Sequence, residues 1–186
     1  MADLSEPAAS EHRVAASELR WAGLVAGLIS LIMVAIIAAG VIMHINPPSN
    51  IERIDPQQLH LSSEFTEGNL GVRVEANGQI VARLVATQFA FVPRCIELPS
   101  GRPVVLRATS PDVIHGLLVT GTNVNTMVVP GYVSQVHTVF KTTGDLLMPC
   151  HEFCGLGHSE MTAVVRVVPP EDFHPGPDGR VSCAAR

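Results

Sequence analysis

The sequence predicts an all-β fold, an antiparallel β-sandwich or barrel, preceded by one transmembrane α-helix. Three observations carry that expectation. Residues 21–43 form a predominantly apolar run without a charged side chain. From Gly71 onward, short segments alternate polar and apolar residues and are separated by turn-forming residues. Hydrophobic residues make up 47% of the chain but aromatic ones only 4%, so the excess is aliphatic and much of it lies in the apolar run. A length of 186 residues allows one globular domain and an additional segment. The net charge of −5 argues against a broad basic footprint, so nucleic acid is not an expected partner. Four cysteines are too few for a disulfide-built scaffold in a chain long enough to bury an ordinary core.

Residues 1–20 are polar and rich in Ala and Glu, and read as a short helical lead-in on the cytoplasmic side. The transmembrane helix is placed at residues 21–45. Its apolar stretch, WAGLVAGLISLIMVAIIAAGVIM, exceeds the roughly 20 residues needed to cross a bilayer. It also exceeds the roughly 7–15 apolar residues of a cleaved signal peptide. Its Ala and Gly content suits close packing against another membrane helix, and Trp21 stands where an indole favours the interface. Arg13 and Arg20 precede the run closely, whereas only Arg53 follows nearby. That bias is expected to keep the N-terminus in the cytoplasm and to send the remaining chain outside.

INPPSN then ends the helix, because two prolines cannot continue it. Residues 46–70 lack periodicity and read as a linker, and residues 71–168 as the β-domain. Within it, VRVEANGQIVARLVA alternates around Asn77-Gly78, a hairpin signal. CIELPSGRPVVLRATS places a Pro-Ser-Gly turn between two short strands. GYVSQVHTVF sets Tyr132, Ser134, Val136, Thr138 and Phe140 on one face. TAVVRVVPP is a last strand ended by prolines. Residues 169–186, rich in Pro, Gly and charge, read as a mobile tail.

The chemistry concentrates in CHEFCGLGHSEM, residues 150–161. Cys150, Cys154, His158 and Met161 could line one helical face by spacing. Gly155 and Gly157, and the flanking strands, favour a loop that folds back on itself. Thiolate, thioether and imidazole donors favour copper, zinc or iron–sulfur. Structural zinc rarely needs methionine, and a weak thioether points to copper in electron transfer. A single blue copper uses one cysteine, whereas two thiolates can bridge two copper ions. Two ions need another imidazole, and His115 in SPDVIHG is the candidate. Taken alone, His115 would read as a partly buried core residue.

CHEFCGLGHSEM resembles the C-x-E-x-C-G-x-x-H-x-x-M signature of the binuclear copper (CuA) domain in subunit II of haem–copper cytochrome c oxidases. SPDVIHG is similar to the segment carrying that family's other histidine ligand. A single membrane helix resembles the B-family (ba-type) branch. The likeness spans residues from about 18 to 168. It implies a cupredoxin-like sandwich and two copper ions. Cys150 and Cys154 would bridge both ions, His115 and His158 would each bind one, Met161 would be a weak axial ligand, and Glu152 would offer its backbone carbonyl. In many members the Glu152 side chain would also reach a magnesium ion at the interface with subunit I, although some B-family members carry Gln there. Other His residues, His151 and His137 included, stand outside the ligand pattern. Cys95 reads as a buried thiol and Cys183 as part of the tail, with a disulfide between them the less favoured alternative.

The same resemblance implies partners. Electrons would come from a separate soluble carrier, a cytochrome c or a small copper protein, because the chain has no C-x-x-C-H haem attachment sequence. They would pass to haem in subunit I, where oxygen is reduced to water and protons are moved; further small subunits are compatible with this. QFAF is similar to the family's aromatic segment near the copper site, which makes Phe89 and Phe91 candidates for carrier docking, with core packing as their alternative. Glu18 occupies a position associated with proton uptake in B-family oxidases, against the alternative of a solvated carboxylate at a helix start. Two other functions compete with this one. Nitrous oxide reduction by the same copper module needs a large propeller for which the chain has no room, and a copper-delivery protein has little use for six converging ligands.

Overall fold

The computed structural model describes residues 6–43 and 52–183. The N-terminal unit is a single helix, α1 (Glu6–Met43). Within it Ala15–Ile42 is long and apolar enough to cross a membrane by length and composition. The helix begins well before Trp21, so the expected lead-in continues the same helix. Glu18 therefore lies exposed within the helix and not at its start. Residues 44 and 45, assigned to the anchor, and the rest of INPPSN lie outside the described residues.

The second unit is built from short strands in chain order: β1 (Glu52–Arg53), β2 (Gly71–Val74), β3 (Ile80–Thr87), β4 (Ala90–Val92), β5 (Cys95–Pro99) and β6 (Pro103–Thr109). There follow β7 (His115–Leu118), β8 (Asn125–Val128), β9 (Tyr132–Val139), β10 (Gly144–Pro149), β11 (Thr162–Val168) and β12 (Arg180–Val181). One sheet runs β1-β9-β6-β3-β2-β12, with β4 paired to β3. The other runs β10-β11-β5, and the β7–β8 hairpin joins it through a bridge between Leu117 and Cys150. This is the cupredoxin-like sandwich that the sequence leads one to expect. Most ladders are antiparallel, whereas β3–β6 and β5–β11 are parallel. After β3 the chain crosses to the other sheet as β5 and returns as β6, and such a crossover is what parallel pairing requires.

Between the sheets Leu84, Phe91, Ile96, Leu98, Leu106, Phe140, Met148 and Val165 are fully buried. Each such side chain contributes about 1.5–3 kcal/mol of burial free energy. The Asn77-Gly78 hairpin forms as its sequence predicts: Gly78 has φ +81° and Asn77 caps Gln79. On β9, Val136, Thr138 and the following Phe140 face inward and His137 faces solvent, but Tyr132 is exposed and Val133 buried, so the expected face does not extend to the start of the strand.

Both segments flanking this domain are bound to it more tightly than their composition indicates. In the linker region, β1 pairs with β9, and Leu59 and Phe65 are buried. Arg107 pairs there with Glu52 and Glu64, and Arg83 with Glu64 and Glu75. Residues 169–183 are not a free tail: β12 pairs with β2, Phe173 is buried under the Arg102 guanidinium, and Cys183 is disulfide-bonded to Cys95. Cys95 is thus half-buried and oxidised, not a buried free thiol. Proline, glycine and charge dominate the composition of this stretch and hide its three anchoring residues. The 88-residue separation hides the cysteine pairing.

Candidate metal centre

β10 and β11 pair in register up to Pro149 and Thr162. The loop between them is closed at its base by Cys150 N–H donating to the Met161 carbonyl at 2.9 Å. It runs as an irregular turn, not a helix, with one short 3-10 segment at His158–Glu160. Gly155 has φ +131°, a conformation that L side chains resist. The β7–β8 hairpin packs beside the loop and brings in His115 at the first position of β7.

The donors converge. The Sγ atoms of Cys150 and Cys154 lie 4.0 Å apart as free thiols. His115 Nδ1 lies 3.9 Å from the Cys150 sulfur, and His158 Nδ1 3.6 Å from the Cys154 sulfur. Met161 Sδ is 3.6 Å from the Cys154 sulfur, and the Glu152 carbonyl oxygen is 3.2 Å from the Cys150 sulfur. His115, Cys150, Cys154 and Met161 are buried and His158 is half-buried. The Glu152 side chain, by contrast, is exposed. All six residues expected from the sequence thus come together around one point. Two thiols flanked by one imidazole each, with a thioether and a carbonyl, are a donor set suited to soft metal ions.

Asp112 orders one side of this cluster. Its Oδ1 faces His115 Nε2 at 2.9 Å, which places the ring proton on Nε2 and leaves the Nδ1 lone pair free to bind a metal ion. Partial burial pushes the Asp112 carboxyl up, but donors from His115, Gln88, Val113 and Thr87 outweigh it and hold the group well below the usual carboxylate range. Burial pushes the Cys154 thiol up to about 11, and the neighbouring Cys150 thiol adds to the shift. The sequence does not single out Asp112 or Gln88. The available signal was Ser-Pro-Asp, a turn-forming triplet, ending three residues before a candidate ligand.

The two aromatic candidates part company. Phe91 is fully buried in the core and cannot dock a partner. The β3–β4 turn breaks the strand alternation, so Phe89 instead leaves the core and lies 37% exposed over the β10–β11 loop. A Cβ at Gly155 would stand 2.9 Å from its ring, and one at Gly157 2.6 Å. Phe153 and Leu156, on the loop itself, are 74% and 100% exposed. His151 is exposed as well, its ring against Gly116.

Residues 61–168 match the family model for the periplasmic domain of cytochrome c oxidase subunit II. The chain is 35% identical over 139 residues to a cytochrome c oxidase subunit 2 of Thermus thermophilus, covering 73% of this chain and 83% of that protein. A second subunit 2 sequence from Thermus thermophilus is 38% identical over 129 residues, 69% of this chain and 93% of that one. Among solved structures, a chain of a haem–copper terminal oxidase dimer superposes with a TM-score of 0.65 at 27% identity, covering 82% of this chain and 99% of its own length. One apolar helix ahead of such a domain fits a single-pass membrane protein. With its ligand cluster assembled on this fold and these similarities along most of its length, the chain belongs to the cytochrome c oxidase subunit II family.

Proposed function

We propose that the chain is the electron-input subunit of a terminal haem–copper oxidase, holding a binuclear CuA centre. The observation that carries the reading is the convergence of two thiols, two imidazole Nδ1 atoms, a thioether and a carbonyl in one largely buried cluster. Cys150 and Cys154 would face both copper ions as thiolates. His115 and His158 would bind one ion each, Met161 would be the weak donor to one, and the Glu152 carbonyl would serve the other. Bound copper would supply a one-electron couple shared over two metals, with little geometric change between its oxidation states. The chain's own part is to exclude water around His115, Cys150, Cys154 and Met161, and to hold the His115 proton on Nε2 through Asp112.

Electrons would arrive from a soluble carrier, a cytochrome c or a small copper protein, and leave for haem in subunit I, which would reduce oxygen to water and translocate protons. Phe89, Ile114, Met127, Phe153 and Leu156 form exposed apolar surface near Cys154, and a groove lined by Val113, Ile114, Met127 and Phe153 reaches it. An apolar patch of this kind suits a transient partner. Residues 46–186 carry 13 acidic and 10 basic side chains, a balance that would steer a basic carrier. The Cys95–Cys183 disulfide supports placing the domain on the outer, oxidising side of a bacterial membrane.

Two finer roles belong to the same reading. The exposed Glu152 carboxylate would reach magnesium at the subunit I interface; Glu152→Gln should then lose magnesium and keep the copper spectrum, and retained magnesium would remove the role. Glu18 would take part in proton uptake, and normal pumping by an assembled Glu18→Ala oxidase would remove that one. The function itself is tested by stopped-flow mixing of the copper-loaded full chain with reduced cytochrome c or a reduced small copper protein. Rapid oxidation of one carrier is expected, and failure with both would overturn the reading.

A further inference from the structure

We propose that Asp112 and Gln88 act as one positioning unit that ties the His115 side of the metal centre to the Cys154 side. Neither residue is a ligand. The Asp112 carboxylate uses its two oxygens in different directions. Oδ1 faces His115 Nε2 at 2.9 Å and accepts from Ser110 Oγ at 3.0 Å and Val113 N–H at 2.6 Å. Oδ2 accepts from Gln88 N–H at 2.7 Å and Thr87 Oγ1 at 2.8 Å. The Gln88 side chain then continues the chain of contacts, its Nε2 donating to the Cys154 carbonyl at 2.5 Å. An imidazole on β7 and a thiol in the β10–β11 loop are thereby joined through the β3–β4 turn. The turn is pressed onto the same loop by Phe89, whose ring fills the space beside Gly155 and Gly157.

A carboxylate is needed at position 112 because both directions require an acceptor. Asparagine offers one acceptor oxygen and one donor nitrogen, so it can satisfy His115 or the Gln88 turn but not both. At position 88 the needed group is a donor long enough to reach the Cys154 carbonyl, which leucine lacks. Partners of metal ligands hold ligand orientation, and losing one costs about 10- to 100-fold in metal affinity. Two residues acting as one unit give non-additive losses, whereas independent residues give additive ones.

This inference rests on the binuclear copper reading, so the unchanged chain is measured alongside. Full chains in detergent carrying Gln88→Leu, Asp112→Asn or both would be loaded with copper. Copper release to a chelator and the hyperfine pattern in electron paramagnetic resonance would then be recorded. Each single variant should release copper about tenfold faster, the double variant little faster than the worse single one, and all three should show unequal couplings to the two copper nuclei. In the copper-free chains, hydrogen exchange at residues 154–157 should quicken in Gln88→Leu. Additive release rates, or equal couplings retained in Gln88→Leu with unchanged loop exchange, would overturn the unit. Absence of a binuclear pattern in the unchanged chain would count against the copper reading itself. Should Asp112→Asn fail to fold, Gln88→Leu decides on couplings and exchange alone.

Discussion

The ring of Phe89 rests on Gly157 so closely that a Cβ there would stand 2.6 Å from the ring's Cγ. One side of the ring is thus committed to the metal loop while 37% of the residue remains exposed. A side chain placed this way joins the outer surface to the loop that carries Cys154 and His158. Phe89→Ala should slow carrier-to-copper electron transfer by about tenfold, as the loss of roughly 1–2 kcal/mol at an interface anchor would. The copper spectrum should stay as it is. Phe91→Ala should act in the opposite way: about 3–5 kcal/mol of domain stability lost from a fully buried site, with carrier kinetics unchanged in the folded fraction. Stopped-flow rates and thermal unfolding separate the two, and a Phe89→Ala rate equal to that of the unchanged chain would remove the docking role.

Cys183→Ser should lower domain stability by about 2–5 kcal/mol, the usual cost of losing a disulfide that closes a long loop. The bond spans 88 residues and ties the strand-bearing C-terminal segment to β5, and neither cysteine is among the six donors. The thermal midpoint of the full chain should therefore fall while the copper spectrum holds. Reductant should reproduce the shift in the unchanged chain, and an unmoved midpoint in both experiments would contradict it.

The raised Cys154 thiol has a defined pH signature in the copper-free chain. Its ordinary value of 9.0 is lifted to about 11, first by burial and then by Cys150. The folded chain therefore keeps a proton that the unfolded chain sheds from about pH 9 upward. The associated stability is fully present below about pH 9 and is lost as pH rises toward about 11. Alkylation at Cys154 follows the thiolate, so it should be slow near neutrality and rise about tenfold per pH unit toward that value. Mass spectrometry of iodoacetamide-labelled peptides would follow it, and a rate that levels off below pH 9 would contradict the assignment.

Much of the site is legible in the sequence because its chemistry is local. Five of the six proposed ligands sit within residues 150–161, and the glycines among them favour a loop over a regular helix. His115 is readable only once that loop creates a need for another imidazole. Asp112 and Gln88 escape notice because their meaning depends on β3, β7 and the metal loop meeting in space, which no spacing along the chain displays. The Phe89–Phe91 pair shows the limit of strand alternation, since a turn between β3 and β4 sends residues of like chemistry to opposite environments. The segment after β11 shows the limit of composition: Phe173, Val181 and Cys183 outweigh the prolines and glycines around them.

The central claim is that two thiols 4.0 Å apart, with an imidazole beside each, hold two copper ions sharing one electron. Electron paramagnetic resonance on the copper-loaded full chain tests it most directly. The account predicts hyperfine splitting spread over two equivalent copper nuclei, with copper retained against a weak chelator. A one-copper splitting pattern, or ready loss of metal to that chelator, would contradict it.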